Sequence, residues 1–470
     1  MIVVGAGAAG HTAAIEAHDA GAKVLVLEKE NTPLACSSAI CGGSVAAAGT
    51  SVQQEGGIED SPELFFNDIM KEGEYTNDEE LVRIFSEHSR DVIEWFKNRG
   101  LRFIVRPYSG FSGDRIHYAG TGKAYMDILI REAKERNIPI FYNTPARRLI
   151  TDDSSGNIIG VQAEKGGKSI FVKAKRATIL ATGGFGGAKE TIDRFLIPFK
   201  GAIVGSSTTA TGDGLLMAMK IGACVTHLEY CAIYACGFVT EQPTRRGLLH
   251  RGYDLASAFG GIVINKQGKR FINEETSPTL VGWKLREQPD QTLYVISDNI
   301  MLEAFVTRPV LPVIGWAKEK FLEEEEKQEC FVKKASSIQE LASKINVNPA
   351  NLRETIETYN SYVETGKDPE FGRDRKHLQR KIETPPFYAL AGKPIVMVTV
   401  GGIKVNGRLQ VLDPYLEPLP RLYAAGEVIG GLHGTRFCGG DAFGSALCLG
   451  RIAGMNAAAE APSIVRSMLE

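Results

Sequence analysis

The sequence lacks any apolar run close to the ~20 residues that a membrane-spanning helix needs. It also lacks a basic block, since 54 lysine and arginine residues stand against 56 acidic residues, for a net charge of −2. Nucleic-acid binding and polybasic membrane anchoring need clustered Lys and Arg, so neither partner class is expected. No targeting segment is evident at the N-terminus, and we expect a cytoplasmic protein, with an upstream signal left open.

Cysteine is scarce, with eight in 470 residues. Neither the pair Cys36 and Cys41 nor the pair Cys231 and Cys236 has the two-residue gap of a zinc knuckle or a thioredoxin-type motif. A disulfide framework and a metal site are therefore not expected, and the thiols are expected to be reduced. The length and the 43% apolar content predict a folded chain with one or two sizeable cores.

Glycine is abundant, at 51 residues or about 11% against a usual ~7%. The first glycines form the pattern G-x-G-x-x-G at Gly5, Gly7 and Gly10, between an apolar strand and a small-residue helix. A second apolar strand ends at Glu28, 18 residues after Gly10. In dinucleotide-binding folds the pyrophosphate lies on the helix N-terminus and such an acid accepts from a ribose hydroxyl. The N-terminus therefore predicts dinucleotide binding.

Later segments favour FAD over a nicotinamide cofactor. A β-meander is expected from Ile158 to Lys173, followed by a strand that ends in Thr182, Gly183 and Gly184. Near the C-terminus, another short strand ends in Gly426 and Glu427. A nicotinamide domain does not need a late strand that delivers a second Gly-Glu pair, whereas a flavin nucleotide stretched across the sheet does.

Six further motifs follow the first one in order along the chain. They are Gly42–Thr50, Ala181–Gly186, Thr211–Gly214, Gly268–Glu274, Ala424–Glu427, and Gly431–Gly434 with Gly439 and Gly440. With these motifs the chain resembles, over nearly its whole length, the soluble flavoproteins of the fumarate reductase, succinate dehydrogenase and 3-ketosteroid dehydrogenase superfamily.

The resemblance implies an α/β fold, in which a Rossmann-like FAD-binding domain is interrupted by an α+β capping domain. Residues 1–225 and 399–470 are then expected to form the FAD-binding domain, and residues 226–398 the cap that contributes to the substrate site. FAD is expected to be held without a covalent link, because the segment Leu34–Gly43 has no histidine of the kind that membrane-bound relatives use. The resemblance also implies a set of cofactor-binding residues, namely Gly5, Gly7, Ala8, Ala9, Gly10, Glu28, Lys29, Ser38, Gly43, Ala48, Gly49, Ala146, Thr182, Gly183, Asp213, Gly426, Glu427, Gly440, Ala442 and Phe443.

The sequence departs from the fumarate reductase pattern at three positions. Pro278 occupies the position of the arginine acid, four residues after Glu274, and a tyrosine of the ketosteroid type is absent there as well. Val398 replaces a histidine, and Phe437 replaces the substrate-clamping arginine, with Arg436 one residue early. A small dicarboxylate is therefore not the expected substrate.

Several polar and aromatic side chains remain near the expected cleft: Tyr108, Phe111, Arg115–Tyr118, His250–Tyr253, His433 and Arg436. Arg436, Tyr253 and Tyr118 are the catalytic candidates. Arg436 leads, because a cation before a Gly-Gly turn beside the flavin has little evident structural purpose. The two tyrosines and His117 also fit ordinary roles in the core.

These observations predict an FAD-dependent dehydrogenase or reductase that acts on CH–CH groups of the enone or enoate type, on a small-molecule substrate. Hydride passes between flavin N5 and a carbon next to a carbonyl or carboxylate. Two alternatives stay open: a dicarboxylate reductase with a rearranged clamp, and a flavin-holding electron-transfer subunit. The electron partner, the direction and the oligomeric state are not predicted.

Overall fold

Strands and helices alternate along the chain in the computed structural model, which describes residues 1–107, 111–240, 246–308, 310–314, 316–328 and 331–462. The strands in chain order are β1 Ile2–Val4, β2 Leu25–Leu27, β3 Ser44–Ala46, β4 Ile104–Arg106, β5 Ile116–Tyr118, β6 Ile140–Phe141, β7 Ala146–Thr151, β8 Ile158–Lys165, β9 Lys168–Lys173, β10 Thr178–Leu180, β11 Ile203–Val204, β12 Val225–Thr226, β13 Cys231–Val239, β14 Gly247–Leu249, β15 Ile262–Asn265, β16 Leu293–Asp298, β17 Val332–Ala335, β18 Phe387–Thr399, β19 Gly402–Ile403, β20 Gln410–Leu412 and β21 Pro418–Ala424. The helices in chain order are α1 Ala8–Asp19, α2 Ser37–Ile40, α3 Ser51–Glu55, α4 Pro62–Glu72, α5 Glu79–Lys97, α6 Gly122–Glu135, α7 Lys189–Phe195, α8 Asp213–Lys220, α9 Gly252–Phe259, α10 Pro278–Leu285, α11 Asn299–Thr307, α12 Lys318–Lys327, α13 Ile338–Lys344, α14 Pro349–Thr365 and α15 Asp441–Ala458.

A six-stranded sheet carries the N-terminal motif. Its strand order is β20-β21-β10-β1-β2-β6, with β20 antiparallel at one edge and the other strands parallel. The strands β1 and β10 are short and buried, and their apolar residues Ile2, Val3, Ile179 and Leu180 are fully inaccessible. This pattern is typical of parallel strands that are covered on both faces. The predicted α/β class, with its Rossmann-like sheet, is confirmed.

Smaller sheets complete this part of the chain. The meander expected between Ile158 and Lys173 is present as the antiparallel pair β8 and β9, and β7, which was not predicted, pairs antiparallel with β8. A second small sheet pairs β3, β5 and β4. Within the described part of the chain, no helix is both long and apolar enough to cross a membrane.

The chain divides into two compact units. The first comprises Met1–Lys200, Ser206–Ala232 and the chain from Val398 onward, and the second comprises Gly201–Gly205 and Ile233–Met397. The second unit is built on a seven-stranded sheet, in which the path β14-β13-β18-β16-β15 is joined by β11 and β17, both paired with β18. The domain boundaries at 225/226 and 398/399 stay a prediction.

A buried ion network stabilises the second unit. Arg270 donates to both carboxylate oxygens of Glu274, at 3.0 and 2.7 Å, and to Asp368 at 2.9 Å. Arg373 lies 3.6 Å from Glu274 and donates to two backbone carbonyls, and the side chains of all four residues are essentially inaccessible. Two cations therefore balance two anions, and both charged residues of the Arg-Phe-Ile-Asn-Glu motif belong to this network.

We predict that Glu274→Gln lowers the free energy of unfolding by about 3–5 kcal/mol, because it leaves a buried cation without its counter-charge. The neighbouring surface pair of Lys269 and Glu354 supplies the control, since Glu354→Gln should cost less than about 1 kcal/mol. Urea unfolding followed by circular dichroism measures both variants. Equal, small losses in the two variants would contradict the assignment of the network as a core element.

Candidate functional site

Four predicted cofactor segments follow the carboxyl ends of adjacent parallel strands. The segments are Gly5–Gly10 after β1, Glu28 after β2, Thr182 with Gly183 after β10, and Gly426 with Glu427 after β21. Because β21, β10, β1 and β2 are parallel neighbours, all four segments lie along one edge of the sheet. Ligands of open α/β sheets bind at this edge.

The three motif glycines differ in what surrounds them. A Cβ atom at Gly10 would lie 1.9 Å from the carbonyl oxygen of Gly5, and one at Gly5 would lie 2.4 Å from that of Ala181. At Gly7 the nearest atom would be Ser38 Oγ, at 3.5 Å. Gly5 and Gly10 are thus required by the packing of the chain itself, whereas Gly7 leaves room for another group.

The N-terminus of α1 is free of a side-chain cap. Gly7 is the N-cap residue and has no side chain to cap the helix, while Ser38 Oγ accepts from the N–H of Ala8, the first helical residue, at 3.1 Å. Backbone N–H groups and the helix dipole at such an end favour an anion. The open space at Gly7 and these donors fit a pyrophosphate.

The Glu28 side chain stabilises the glycine turn by hydrogen bonds. One carboxylate oxygen accepts from the Ala6 N–H at 2.7 Å, and the other accepts from the Glu30 N–H at 2.9 Å. Burial raises the pKa of Glu28, and these two hydrogen bonds oppose the shift. The side chain therefore has a structural role in addition to the ribose contact that the sequence predicts for it.

Lys29 and Asp213, from two separate motifs, are brought together. Lys29 Nζ donates to Asp213 Oδ2 at 2.7 Å and to Thr211 Oγ1 at 2.6 Å. Asp213 is the first residue of α8. This contact ties the segment after β2 to the Thr-Gly-Asp-Gly motif, 182 to 184 residues later in the sequence.

Glu427 is held by a residue that the sequence does not single out. Its Oε1 atom accepts from both the backbone N–H and the hydroxyl of Thr399, at 2.9 and 3.0 Å. Burial raises the pKa of Glu427. Nearby in the motif after β10, the Thr182 hydroxyl is buried without a hydrogen-bond partner in the described part of the structure, so it is available to a ligand.

The other predicted cofactor residues lie at the ends of elements. Gly43 precedes β3, Ala48 and Gly49 follow it, Ala146 begins β7, Gly440 is the N-cap of α15, and Ala442 and Phe443 lie in the first turn of that helix. Asp441, between them, was not predicted. Both of its carboxyl oxygens are buried and have no partner among the described residues, and burial raises its pKa well above the ordinary value. Asp441 could have been noticed in the sequence, because it is the one charged residue among the small and apolar residues Gly440–Phe443.

Arg436 has an ion-pair partner. Its Nη2 atom lies 2.5 Å from Glu74 Oε1, and the neighbouring Thr435 hydroxyl donates to Glu74 Oε2 at 2.9 Å. The two charged side chains are 30% and 49% exposed. Glu74 was not predicted as the partner of Arg436, because it lies 362 residues earlier in the chain. Nearby, His433 is buried, and burial lowers its pKa to about 4, so it is neutral at pH 7.

The tyrosine candidates lie in different settings. The Tyr253 hydroxyl, in the second unit, is buried and donates to the Thr276 carbonyl oxygen at 2.6 Å, and burial raises its pKa well above the ordinary value. Tyr118, in the first unit, is half-buried at the end of β5, with the Arg106 guanidinium 4.2 Å from its ring centroid. Tyr108 lies outside the described residues.

Comparison with known proteins agrees with this geometry. A family model described as "FAD binding domain" matches residues 1–442. The chain belongs to this FAD-binding family. A fumarate reductase (cytochrome) from Shewanella frigidimarina is 32% identical over 97% of this chain and 76% of the relative. A urocanate reductase from Eggerthella lenta is 32% identical over 98% of this chain and 74% of the relative.

A solved structure extends the likeness. The 3-ketosteroid-Δ4-(5α)-dehydrogenase from Rhodococcus jostii RHA1, in complex with 4-androstene-3,17-dione, has a TM-score of 0.78 and 26% identity and covers 97% of this chain and 96% of that one. This member of the FAD-binding family is therefore an FAD-dependent oxidoreductase that acts on carbon–carbon bonds, as the sequence predicts.

We predict that Gly7→Ala weakens FAD binding by on the order of tenfold or more, because its new methyl group enters the space that the pyrophosphate needs. The unfolding midpoint of the apoprotein should not change, since that methyl group meets no atom closer than 3.5 Å. Gly10→Ala is the contrast and should lose about 1–3 kcal/mol or more of stability through overpacking. Fluorescence titration of the apoproteins with FAD, beside thermal unfolding, measures both effects. Wild-type FAD affinity in Gly7→Ala would contradict the proposed phosphate position.

Proposed function

We propose that the protein interconverts a C–C and a C=C bond next to a carbonyl group, on a substrate that is more apolar than a small dicarboxylate. Bound FAD supplies the hydride chemistry at its N5 atom. The protein has to orient the substrate, polarise its carbonyl and handle the proton at the adjacent carbon.

The residues at the start of α10 are the main support for a substrate other than fumarate. The fumarate reductases that the sequence resembles place an arginine acid four residues after the motif glutamate, and here that position is Pro278, the first residue of α10. Ser277 is the N-cap, and its hydroxyl accepts from the Leu280 N–H at 3.4 Å. Arg270 and Glu274, just upstream, are committed to the buried network. This segment is thus built of structural residues, which supports a substrate other than fumarate.

The relatives support the reaction class more than a particular substrate. Their names include fumarate and urocanate reductases, whose substrates differ in shape and charge. The ketosteroid dehydrogenase was solved with a neutral diketone, 4-androstene-3,17-dione. A neutral enone substrate fits that example and the loss of the family's clamping arginine at Phe437. A dicarboxylate reductase with a rearranged clamp is the second candidate, favoured by the 32% identity to fumarate reductase.

Arg436 is the proposed carbonyl-polarising donor. A guanidinium carries five N–H donors in a rigid fork, so its hydrogen bond to Glu74 leaves others for a substrate oxygen. Tyr118 and Tyr253 are the candidates for proton transfer. Tyr118 is the stronger one, because the Tyr253 proton is already donated to a backbone carbonyl and burial raises the pKa of that phenol.

FAD is proposed to bind without a covalent link. The segment Leu34–Gly43 has no histidine, and its two thiols, those of Cys36 and Cys41, donate to nearby carbonyl oxygens at 3.1 and 3.2 Å. Burial raises the pKa of Cys36 to about 11, so little of the nucleophilic thiolate forms at neutral pH. A cytoplasmic location remains the prediction from the sequence, and the electron partner is left open.

We predict that Arg436→Ala lowers kcat/KM by about a hundredfold or more, as the loss of an oxyanion donor does, while the FAD content stays the same. The assay uses reduced methyl viologen as electron donor and 2-cyclohexen-1-one or fumarate as acceptor. Arg83→Ala is a matched control, because Arg83 forms a surface ion pair of the same 2.5 Å length with Glu63. Full activity in flavin-replete Arg436→Ala would remove this residue from the mechanism, and loss of flavin would reassign it to cofactor binding.

A further inference from the structure

The loop of residues 73–78, between α4 and α5, is hydrogen-bonded to the loop of residues 431–436. The Asp78 N–H donates to the Gly431 carbonyl oxygen and the Asn77 side chain donates to that of Leu432, both at 2.8 Å. The Thr435 hydroxyl and Arg436 both donate to the carboxylate of Glu74. The two loops are therefore joined by several hydrogen bonds, and Glu74 accepts those from the Thr435 and Arg436 side chains.

The backbone of the first loop is strained at the residue that makes this contact. Glu74 and Tyr75 are consecutive non-glycine residues in the left-handed region, with φ of 56° and 57°. L-residues avoid this region, and they persist there only where surrounding contacts enforce it. Tyr75 is 71% exposed, so burial of its side chain does not compensate for the strain. Hydrogen bonds to the end of α4 hold both residues there, because the Glu74 N–H donates to the Lys71 carbonyl oxygen at 3.1 Å and the Tyr75 N–H donates to that of Met70 at 2.8 Å.

The Glu74 carboxylate balances the charge of Arg436 in the absence of substrate. A carboxylate that approaches Arg436 also approaches the negative charge of Glu74, at a distance where like charges repel appreciably. A neutral carbonyl meets no such repulsion and needs only one N–H donor. The pair thus favours neutral over anionic substrates at this guanidinium.

We propose that Glu74 is a specificity-determining residue that orients Arg436 and selects neutral carbonyl substrates against carboxylates. The inference rests on the proposed function, in which Arg436 faces the substrate, and it assigns the substrate class. The plain alternative is an ordinary surface ion pair. The pair of Arg83 and Glu63 has the same 2.5 Å length and the same residue types in the same unit, which makes it a matched reference.

The test is calorimetric titration of the FAD-loaded protein with fumarate and, separately, with 2-cyclohexen-1-one at low ionic strength. Glu74→Gln keeps an amide oxygen that accepts from Arg436 and offers an NH2 group to the Thr435 hydroxyl, but it removes the charge. It should bind fumarate about tenfold or more tighter than the wild type, while its affinity for the enone changes less than about threefold. Glu63→Gln should leave both affinities at the wild-type values.

Two further variants separate charge from geometry. Glu74→Asp keeps the negative charge on a shorter side chain and should retain the weak fumarate binding of the wild type. The double variant Glu74→Gln/Arg436→Ala should not bind fumarate more tightly than the wild type, because the higher affinity of Glu74→Gln depends on the Arg436 guanidinium. Thermal unfolding and FAD content verify that each protein is folded and loaded.

Unchanged fumarate affinity in Glu74→Gln, or an equal gain in Glu63→Gln, would overturn the proposal. A gain that persists in the double variant would also overturn it, since Glu74 would then act without Arg436. Failure of the proposed function gives a different result: Arg436→Ala would keep full activity whatever the binding titrations show.

Discussion

The contact of Gly10 with the carbonyl of Gly5 is the constraint on which the candidate site depends. No side chain fits there, so α1 can start directly against the end of β1. That start directs uncapped N–H groups towards the open space at Gly7. Glu28 then fixes the turn from the neighbouring strand through the Ala6 N–H. The segments after β10 and β21 reach the same edge because the strands are parallel and adjacent. One close approach of two backbone segments thus sets the start of α1, and the parallel strand order brings the other segments to the same edge.

The motif from Gly268 to Glu274 and the position after it, where the resemblance implies an arginine acid, serve the fold in this chain. Arg270 and Glu274 belong to a charge-balanced network with Asp368 and Arg373, and Pro278 starts a helix. The same sequence pattern can therefore be retained for stability while the substrate chemistry changes around it. This division agrees with our proposal that a chain 32% identical to a fumarate reductase acts on another class of substrate.

The parts of the molecule that depend on local patterns were predictable. The alternation of strand, glycine turn and helix, the acid after β2, and the meander up to Lys173 all follow from residues close together in sequence. Glu74 and Thr399 were not predictable, because their partners Arg436 and Glu427 lie far away in the sequence. Arg436 in particular was expected to lack a structural purpose, and only the fold brings the Glu74 carboxylate to it. Asp441 was not predictable for a related reason, since its burial arises from tertiary packing and not from its neighbours in the helix.

We propose that the protein reduces or forms a C=C bond next to a neutral carbonyl, and the oxidative half-reaction of its flavin separates this substrate class from dicarboxylates. The FAD-loaded protein is reduced without oxygen and mixed in a stopped-flow instrument with equal concentrations of 2-cyclohexen-1-one or fumarate, and the return of flavin absorbance is followed. We expect faster reoxidation by the enone, by about tenfold or more, because in our proposal the Glu74 carboxylate disfavours the dicarboxylate. Rapid reoxidation by fumarate with no reaction of the enone would contradict it.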